Sequence, residues 1–196
     1  MLWRHGQTIW NAEDRYQGQT DIPLNETGEA QAERAARLLA ALRPDLIFSS
    51  DLSRAVSTAA PLARLTRLPV TQDKALRERS GGAWEGLTGE EIRERYPAER
   101  ATWNPPDGEP RAVVADRVAS ALARVAAEVP DGGLAVVVSH GAAIRLGTEQ
   151  LLGLANGVLG PMSNCCWSVL GQRRGKWRIL EYNAGNLPEP VLGDDR

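Results

Sequence analysis

Leu134-Ala135-Val136-Val137-Val138-Ser139-His140-Gly141 is the stretch from which the fold can be read. Its apolar run does not alternate, which predicts a strand buried on both faces, as central strands of parallel sheets are. The run ends in a Ser-His-Gly step, and a helix is expected from about Ala142 to Leu152. Upstream, Val114, Val118, Leu122 and Val125 share one face of a helix expected from about Pro110 to Val129. Asp131-Gly132-Gly133 supplies the turn between that helix and the strand.

Working outward, the same alternation recurs. A polar stretch from Gln7 to Glu26 precedes a helix expected over Thr27–Arg43, with Ala35, Leu38, Leu39 and Leu42 at helical spacing and Pro44 as the stop. Asp45–Ser49 reads as a short buried strand. Ser50 or Asp51 is placed to cap the next helix, which runs towards Leu65 with Pro61 counting against a straight rod. Pro69–Thr71 reads as a further strand. Arg79–Gly108 is rich in Gly, Glu and Pro and predicts an excursion over the site, with a short helix at Thr88–Tyr96. Cys166–Leu170 and Trp177–Tyr182, joined by Gly171–Lys176, predict an antiparallel hairpin. The tail Pro188–Arg196 reads as loose. Together these predict an α/β fold in three layers: a mixed, mostly parallel central sheet, helices on both faces and a small cap. The expected organisation is one domain over 1–196, with 79–108 as the cap segment.

Composition narrows the function classes. At 196 residues, 42% of them apolar, the chain can bury a real core. A net charge of −2 gives no field to draw the whole molecule to nucleic acid or an anionic membrane. No apolar run is long enough to span a bilayer, and the start lacks a signal-peptide pattern, so the cytoplasm is the expected location. Cys165 and Cys166 are neighbours, an awkward spacing for a disulfide or a metal site, and read as small buried residues of a strand. No metal and no organic cofactor is expected. A homodimer is conceivable if Trp84, Trp103 or Trp167 forms an exposed aromatic patch.

The chain has two histidines, His5 and His140, and both precede a glycine. Each also follows an apolar segment, so each is expected at the carboxyl end of a strand, where α/β sheets form their ligand crevices. Arg4 precedes one of them, and Arg54 follows the strand end Ser49-Ser50-Asp51. A guanidinium binds two phosphate oxygens at once and keeps its charge. A neutral imidazole can attack phosphorus, and adjacent arginines should keep it unprotonated. A second imidazole can donate to the phosphoryl oxygens. The leaving alkoxide needs a proton, for which Glu78 is a candidate. Singly, each has a plainer reading: a hydrogen-bonded structural His, a surface ion-pair Arg, a solvated Glu. Zinc is disfavoured because there is no third His.

The neighbouring residues favour the catalytic reading. Leu2-Trp3-Arg4-His5-Gly6-Gln7-Thr8 with Asn11, Gln17-Gly18-Gln19-Thr20-Asp21-Ile22-Pro23-Leu24, Thr27-Gly28 with Gln31-Ala32, Ser49-Ser50-Asp51-Leu52 with Arg54-Ala55 and Thr58-Ala59, Leu76-Arg77-Glu78 with Gly82 and Trp84-Glu85-Gly86, and Val138-Ser139-His140-Gly141 occur in this order. This series resembles the signature motifs of the histidine phosphatase (phosphoglycerate-mutase-like) superfamily. The resemblance implies His5 as the nucleophile that becomes phosphohistidine and Glu78 as the acid, later the base. It implies Arg4, Arg54 and His140 as the phosphoryl clamp. Asn11, Gln17, Gly18 and Gly141 would line the substrate site, and the partner would be a small phosphorylated metabolite. Tyr16–Asp21 and the short chain resemble the phosphatase branch more than the mutases, so hydrolysis is expected, with mutase-type transfer or a non-catalytic phospho-ligand binder as alternatives. Gly160-Pro161-Met162-Ser163-Asn164-Cys165-Cys166-Trp167 is similar to a stretch of actinobacterial glucosyl-3-phosphoglycerate phosphatases, departing at Pro161. Core packing explains Met162 and Trp167 equally well.

Overall fold

The computed structural model describes residues 1–185, and the expectation for the tail falls on residues outside that range. Six strands form one sheet: β1 (Leu2–Arg4), β2 (Leu46–Ser49), β3 (Val70–Gln72), β4 (Ala135–Ser139), β5 (Trp167–Arg173) and β6 (Lys176–Ala184). Their order across the sheet is β3-β2-β4-β1-β5-β6. The pairs β3/β2, β2/β4 and β4/β1 are parallel, and β1/β5 and β5/β6 are antiparallel. The run that decided the fold, β4, is buried at every position. The three-residue β1 lies between it and β5.

The pleat divides the core. Leu2, Phe48, Ala135 and Val137 point to one face, and Trp3, Ile47, Val136 and Val138 to the other, as period-two geometry requires. The helices are α1 (Ile9–Ala12), α2 (Glu26–Ala41), α3 (Ser53–Thr66), α4 (Gly89–Arg95), α5 (Pro97–Thr102), α6 (Arg111–Glu128) and α7 (Gly141–Leu152). The first face is covered by α6 and α7, through Val114, Val118, Leu122, Val125, Ile144 and Leu146. The second is covered by α2 and α3, through Ala32, Ala36, Leu39, Ala55, Ala59 and Leu62. The three-layer α/β architecture is therefore as expected.

Several local expectations are corrected. In α2 the buried stripe is Gly28, Ala32, Ala35, Ala36 and Leu39, while Leu38 and Leu42 are exposed. Small residues let α2 lie close to its neighbours, and the larger Leu38 and Leu42 fall outside the stripe. Neither Ser50 nor Asp51 caps α3, whose N-cap is Leu52 without a side-chain bond. Asp51 instead holds the Arg77 guanidinium through both oxygens at 2.7 Å. The free Ser53 N–H donates to Asp21 Oδ1 at 2.8 Å, so a residue distant in sequence does the capping. The hairpin turn is tighter than expected, reduced to Arg174-Gly175, both with positive φ, the geometry that matches strand twist. Cys165 and Cys166 are buried and free but lie in the turn before β5, not in a strand; Cys165 has φ 56°. Trp84 is wholly buried, with Trp103 and Tyr16 both packed edge-on against it, so no exposed patch joins Trp84 to Trp103. Met162 lies in the core, and Trp167 packs partly buried on the opposite face. Among the described residues no helix is long and apolar enough to cross a membrane.

Candidate active site

The carboxyl ends of β1, β2 and β4 converge, and each delivers one part of the site. His5 follows β1. Its N–H donates to Ser139 O at 3.0 Å, and its carbonyl accepts from Cys165 N at 3.1 Å. Asn164 Nδ2 donates to the carbonyls of His5 (3.1 Å) and Gly6 (3.2 Å) and to Asn11 Oδ1 (3.2 Å). Gly6 must be glycine because a Cβ there would stand 2.5 Å from Gly28 O. The backbone carrying the imidazole is thus fixed from both sides.

Hydrogen bonds set the two imidazoles in opposite tautomers. His5 Nδ1 lies 2.7 Å from Gly6 O, and a carbonyl can only accept, so Nδ1 carries the proton and Nε2 keeps its lone pair. Arg54 Nε, which can only donate, lies 3.2 Å from His140 Nδ1. That puts the His140 proton on Nε2, a buried atom with no partner among the described residues. The ring centroids are 5.1 Å apart. Burial holds both imidazoles well below the usual histidine pKa. The Arg54 charge adds to this at both, as does Arg4, with His5 itself also contributing at His140.

Arg54 is fully buried near the start of α3. It donates to Thr20 O (2.9 Å) and Gly18 O (2.7 Å) as well as to His140, leaving two N–H directions unused. Burial lowers its pKa to about 10, still a cation at neutral pH. Arg4, the last residue of β1, is buried and donates through Nη1 to Met162 O. The core methionine therefore contributes its carbonyl, not its side chain. Glu78 approaches from the segment after β3. Its Oε1 accepts from Arg79 N (2.8 Å) and Ala143 N (2.9 Å), and its Oε2 from Ala142 N alone (3.1 Å). The carboxylate sits on the open N-terminus of α7, and Oε2 keeps the spare lone pair.

The remaining expected residues frame this pocket. Asn11 Oδ1 accepts from Thr8 N (3.1 Å), and the single Thr8 Oγ1 proton has both Gln17 Oε1 (3.0 Å) and Asn11 Oδ1 (3.2 Å) within reach. Thr8 is therefore a hub that the sequence did not single out. Gly18 contributes the carbonyl that holds Arg54. Gly141 opens α7, where a Cβ would approach Arg4 Nε to 3.4 Å. Arg117 was also missed. It donates to the carbonyls of Ala75 (2.8 Å), Arg77 (2.7 Å) and Glu78 (3.0 Å) and pairs with Glu109, and so holds the Glu78 backbone. A lone Arg on a helix carries no sequence signal for that work.

The three-layer fold, with two imidazoles and two guanidiniums at its strand ends, defines a phosphoryl-transfer enzyme. The chain belongs to the histidine phosphatase superfamily (branch 1), whose family model matches residues 1–185, and it is a phosphatase of phosphomonoesters. Particular relatives are close. The chain is 41% identical to the glucosyl-3-phosphoglycerate phosphatase of Mycobacterium tuberculosis, over 94% of this chain and 93% of that protein. It is 39% identical to the protein of the same name from Mycolicibacterium vanbaalenii, with the same coverage. A solved mycobacterial glucosyl-3-phosphoglycerate phosphatase in complex with VO3 superposes with a TM-score of 0.88 at 38% identity, covering 94% of this chain and 98% of that one.

Proposed function

We propose that hydrolysis proceeds through a phosphoryl group carried on His5 Nε2, and that the substrate is a phosphorylated small sugar acid of the glucosyl-3-phosphoglycerate type. The observation that carries the mechanism is the pair of opposite tautomers. One imidazole offers a lone pair and the other an N–H, 5.1 Å apart at the mouth of three strand ends. In the first step His5 Nε2 forms a bond to phosphorus as the P–O bond to the alcohol breaks. Glu78 gives its proton to the departing oxygen. His140 Nε2–H, Arg54 and Arg4 stabilise the equatorial oxygens, and Asn11 and Gln17 border them. Gly6 O steadies the positive charge that forms on the phosphorylated ring through Nδ1–H. In the second step water attacks phosphorus, Glu78 takes its proton, and phosphate leaves with the His5 lone pair restored. The segment 79–108 covers the pocket as a cap in this reading. The sugar-acid substrate rests on the relatives' names together with the resemblance of the Gly160–Trp167 stretch, Pro161 apart.

The test is phosphate release from p-nitrophenyl phosphate, 3-phosphoglycerate and glucosyl-3-phosphoglycerate by wild type and His5→Ala. Release by wild type, lost at least a thousandfold in His5→Ala, is expected. Comparable rates in both proteins would remove His5 as nucleophile. A wild type that moves phosphate only after priming with a bisphosphate would be a mutase.

A further inference from the structure

The leaving group must lie on the side of Glu78, because that carboxyl protonates it. On this side the molecule accumulates positive charge that its own carboxylates do not balance. Arg79, next to Glu78, is 1% exposed and held only by carbonyls, Glu109 O at 2.7 Å and Trp103 O at 3.0 Å. Carbonyls satisfy donors without neutralising charge, and Arg79 Nη2 has no partner among the described residues. The carboxylate of Glu109 is taken by Arg117 through both oxygens at 2.7 Å.

Arg111, the first residue of α6, is partly buried and makes no ion pair among the described residues. Arg145 stands on α7, within a turn of Ala142 and Ala143, whose N–H groups hold Glu78. Its one partner is the buried Glu149 at 3.8 Å. Glu149 is itself shared, since its Oε1 accepts from Gly157 N (2.9 Å) and Leu159 N (3.1 Å). Arg111 follows Glu109 by two residues, and the Glu109 carbonyl accepts from Arg79 Nε at 2.7 Å, so the chain itself brings Arg111 beside Arg79. Burial, then the charges of Arg145 and Arg79, push the Arg111 pKa down. Tyr16 faces Arg111 but supplies no counter-charge, because burial and Glu78 push its phenol up to about 12. Glu78 already answers Arg54 across the phosphoryl pocket. Glu85, which acts on Tyr16 from the same neighbourhood, is held by the N–H groups of Gln19, Thr20 and Gly81 rather than by an arginine. Three guanidiniums therefore stand against two carboxylates, Glu149 and Glu85, an excess that a structure keeps at a cost unless a ligand brings the missing charge.

We propose that Arg111 and Arg145, backed by the buried Arg79, form an anion subsite on the leaving-group side of Glu78 that selects alcohols bearing a second anionic group. The proposal rests on the phosphatase reading for the direction in which the leaving group lies. A planar fork binds a carboxylate or a phosphate through two parallel bonds, so either group fits the charge.

The experiment compares three phosphomonoesters: 3-phosphoglycerate, the bisphosphate of propane-1,3-diol, and glycerol 3-phosphate, which lacks a second anionic group. Binding is measured by calorimetry on His5→Ala protein, and kcat/KM on the active enzyme. The expected result is at least tenfold tighter binding of one or both doubly anionic ligands over glycerol 3-phosphate. Whichever ligand gains identifies the anion, carboxylate or phosphate. Arg111→Gln should collapse that ratio, Arg111→Lys should restore part of it, and Arg93→Gln on the exposed face of α4 should leave it unchanged. Arg145→Gln is less decisive because it strips the buried Glu149 of its cation. Equal binding of all three ligands, or a ratio untouched by Arg111→Gln, would overturn the proposal. Failure of the wild type to release phosphate from any ester would sink the phosphatase reading instead, while the binding ratios still decide the subsite.

Discussion

His5 and His140 are held neutral because burial and the neighbouring arginines outweigh the one contact that favours a proton, Gly6 O at His5 Nδ1. They are buried, and Arg54 and Arg4 repel a further positive charge. Protonation of His5 would remove the attacking lone pair. The acidic limb of kcat/KM should therefore lie well below pH 6.5, which a pH profile on p-nitrophenyl phosphate would show; a limb at 6.5 or above would contradict the buried neutral pair. The same shift affects stability. Folded pKa values below the unfolded one mean that the unfolded chain binds more protons once pH falls below about 6.5. Stability contributed by the two neutral rings is full above that pH and is lost as pH drops towards the folded values, at up to about 1.4 kcal/mol per pH unit for each ring. At Glu78, the single spare lone pair is on Oε2, so the proposed proton transfer would use that oxygen. Glu78→Gln should slow alkyl phosphates about 10²–10⁴-fold and aryl phosphates far less, because a good leaving group needs little proton help. Equal losses would remove it as the acid. The two histidines and Arg4, Arg54 and Glu78 were legible because each lies beside a strand end or a recognisable motif. Thr8 lay inside the first motif without a role of its own, and Arg117 and Arg79 carried no signal, because their work is done on carbonyls distant in sequence.

At the scale of elements, the packing of α6 on α7 depends on Gly147. A Cβ there would lie 2.4 Å from Val118 Cγ1 and 2.8 Å from Val118 Cβ. Alanine gains about 0.5–1 kcal/mol of helix preference, but overpacking costs about 1–3 kcal/mol, and the second wins because the clash reaches the stiff Cβ of a β-branched residue. Gly147→Ala should lower stability by about 1–2 kcal/mol in urea denaturation; unchanged or raised stability would mean that the helices separate freely. The sequence revealed β4, α6 and α7 because their patterns are long and regular. It placed Ala35 and Leu39 of α2 correctly but took Leu38 and Leu42 for the contact that Ala32 and Ala36 make, and it misjudged the start of α3, where the cap comes from Asp21. Period and propensity do not report which small residues another helix approaches. They also passed over α5, where Tyr96-Pro97 reads as a stop although Pro97 in fact begins a new helix.

For the whole molecule, the charge pattern is more informative than the net charge of −2. Cations gather at the phosphoryl pocket, at the Arg79, Arg111 and Arg145 cluster, and at the hairpin carrying Arg173, Arg174, Lys176 and Arg178, so the balancing acids are spread elsewhere. Among the described residues no three His, Cys, Asp or Glu side chains converge as metal ligands do. The proposed mechanism uses only side chains, so phosphate release should be unaffected by a strong chelator; a large loss that added metal restores would require a different mechanism. The three-layer architecture was legible from strand–helix alternation, whereas the sheet order was not, because pairing β1 with both β4 and β5 depends on contacts between the chain's opposite ends.

That central position of β1 carries a consequence for synthesis. Translation makes Arg4 and His5 long before the residues that hold them, with Asn164 standing 159 positions after His5. A growing chain on the ribosome therefore exposes His5 without Ser139, Asn164 or Cys165 to fix it, and has no assembled pocket. Chains stalled before β5 emerges should be silent towards a fluorogenic phosphate ester, and hydrolysis should switch on abruptly once that strand clears the exit tunnel. The enzyme's own turnover would then report that its synthesis is nearly complete.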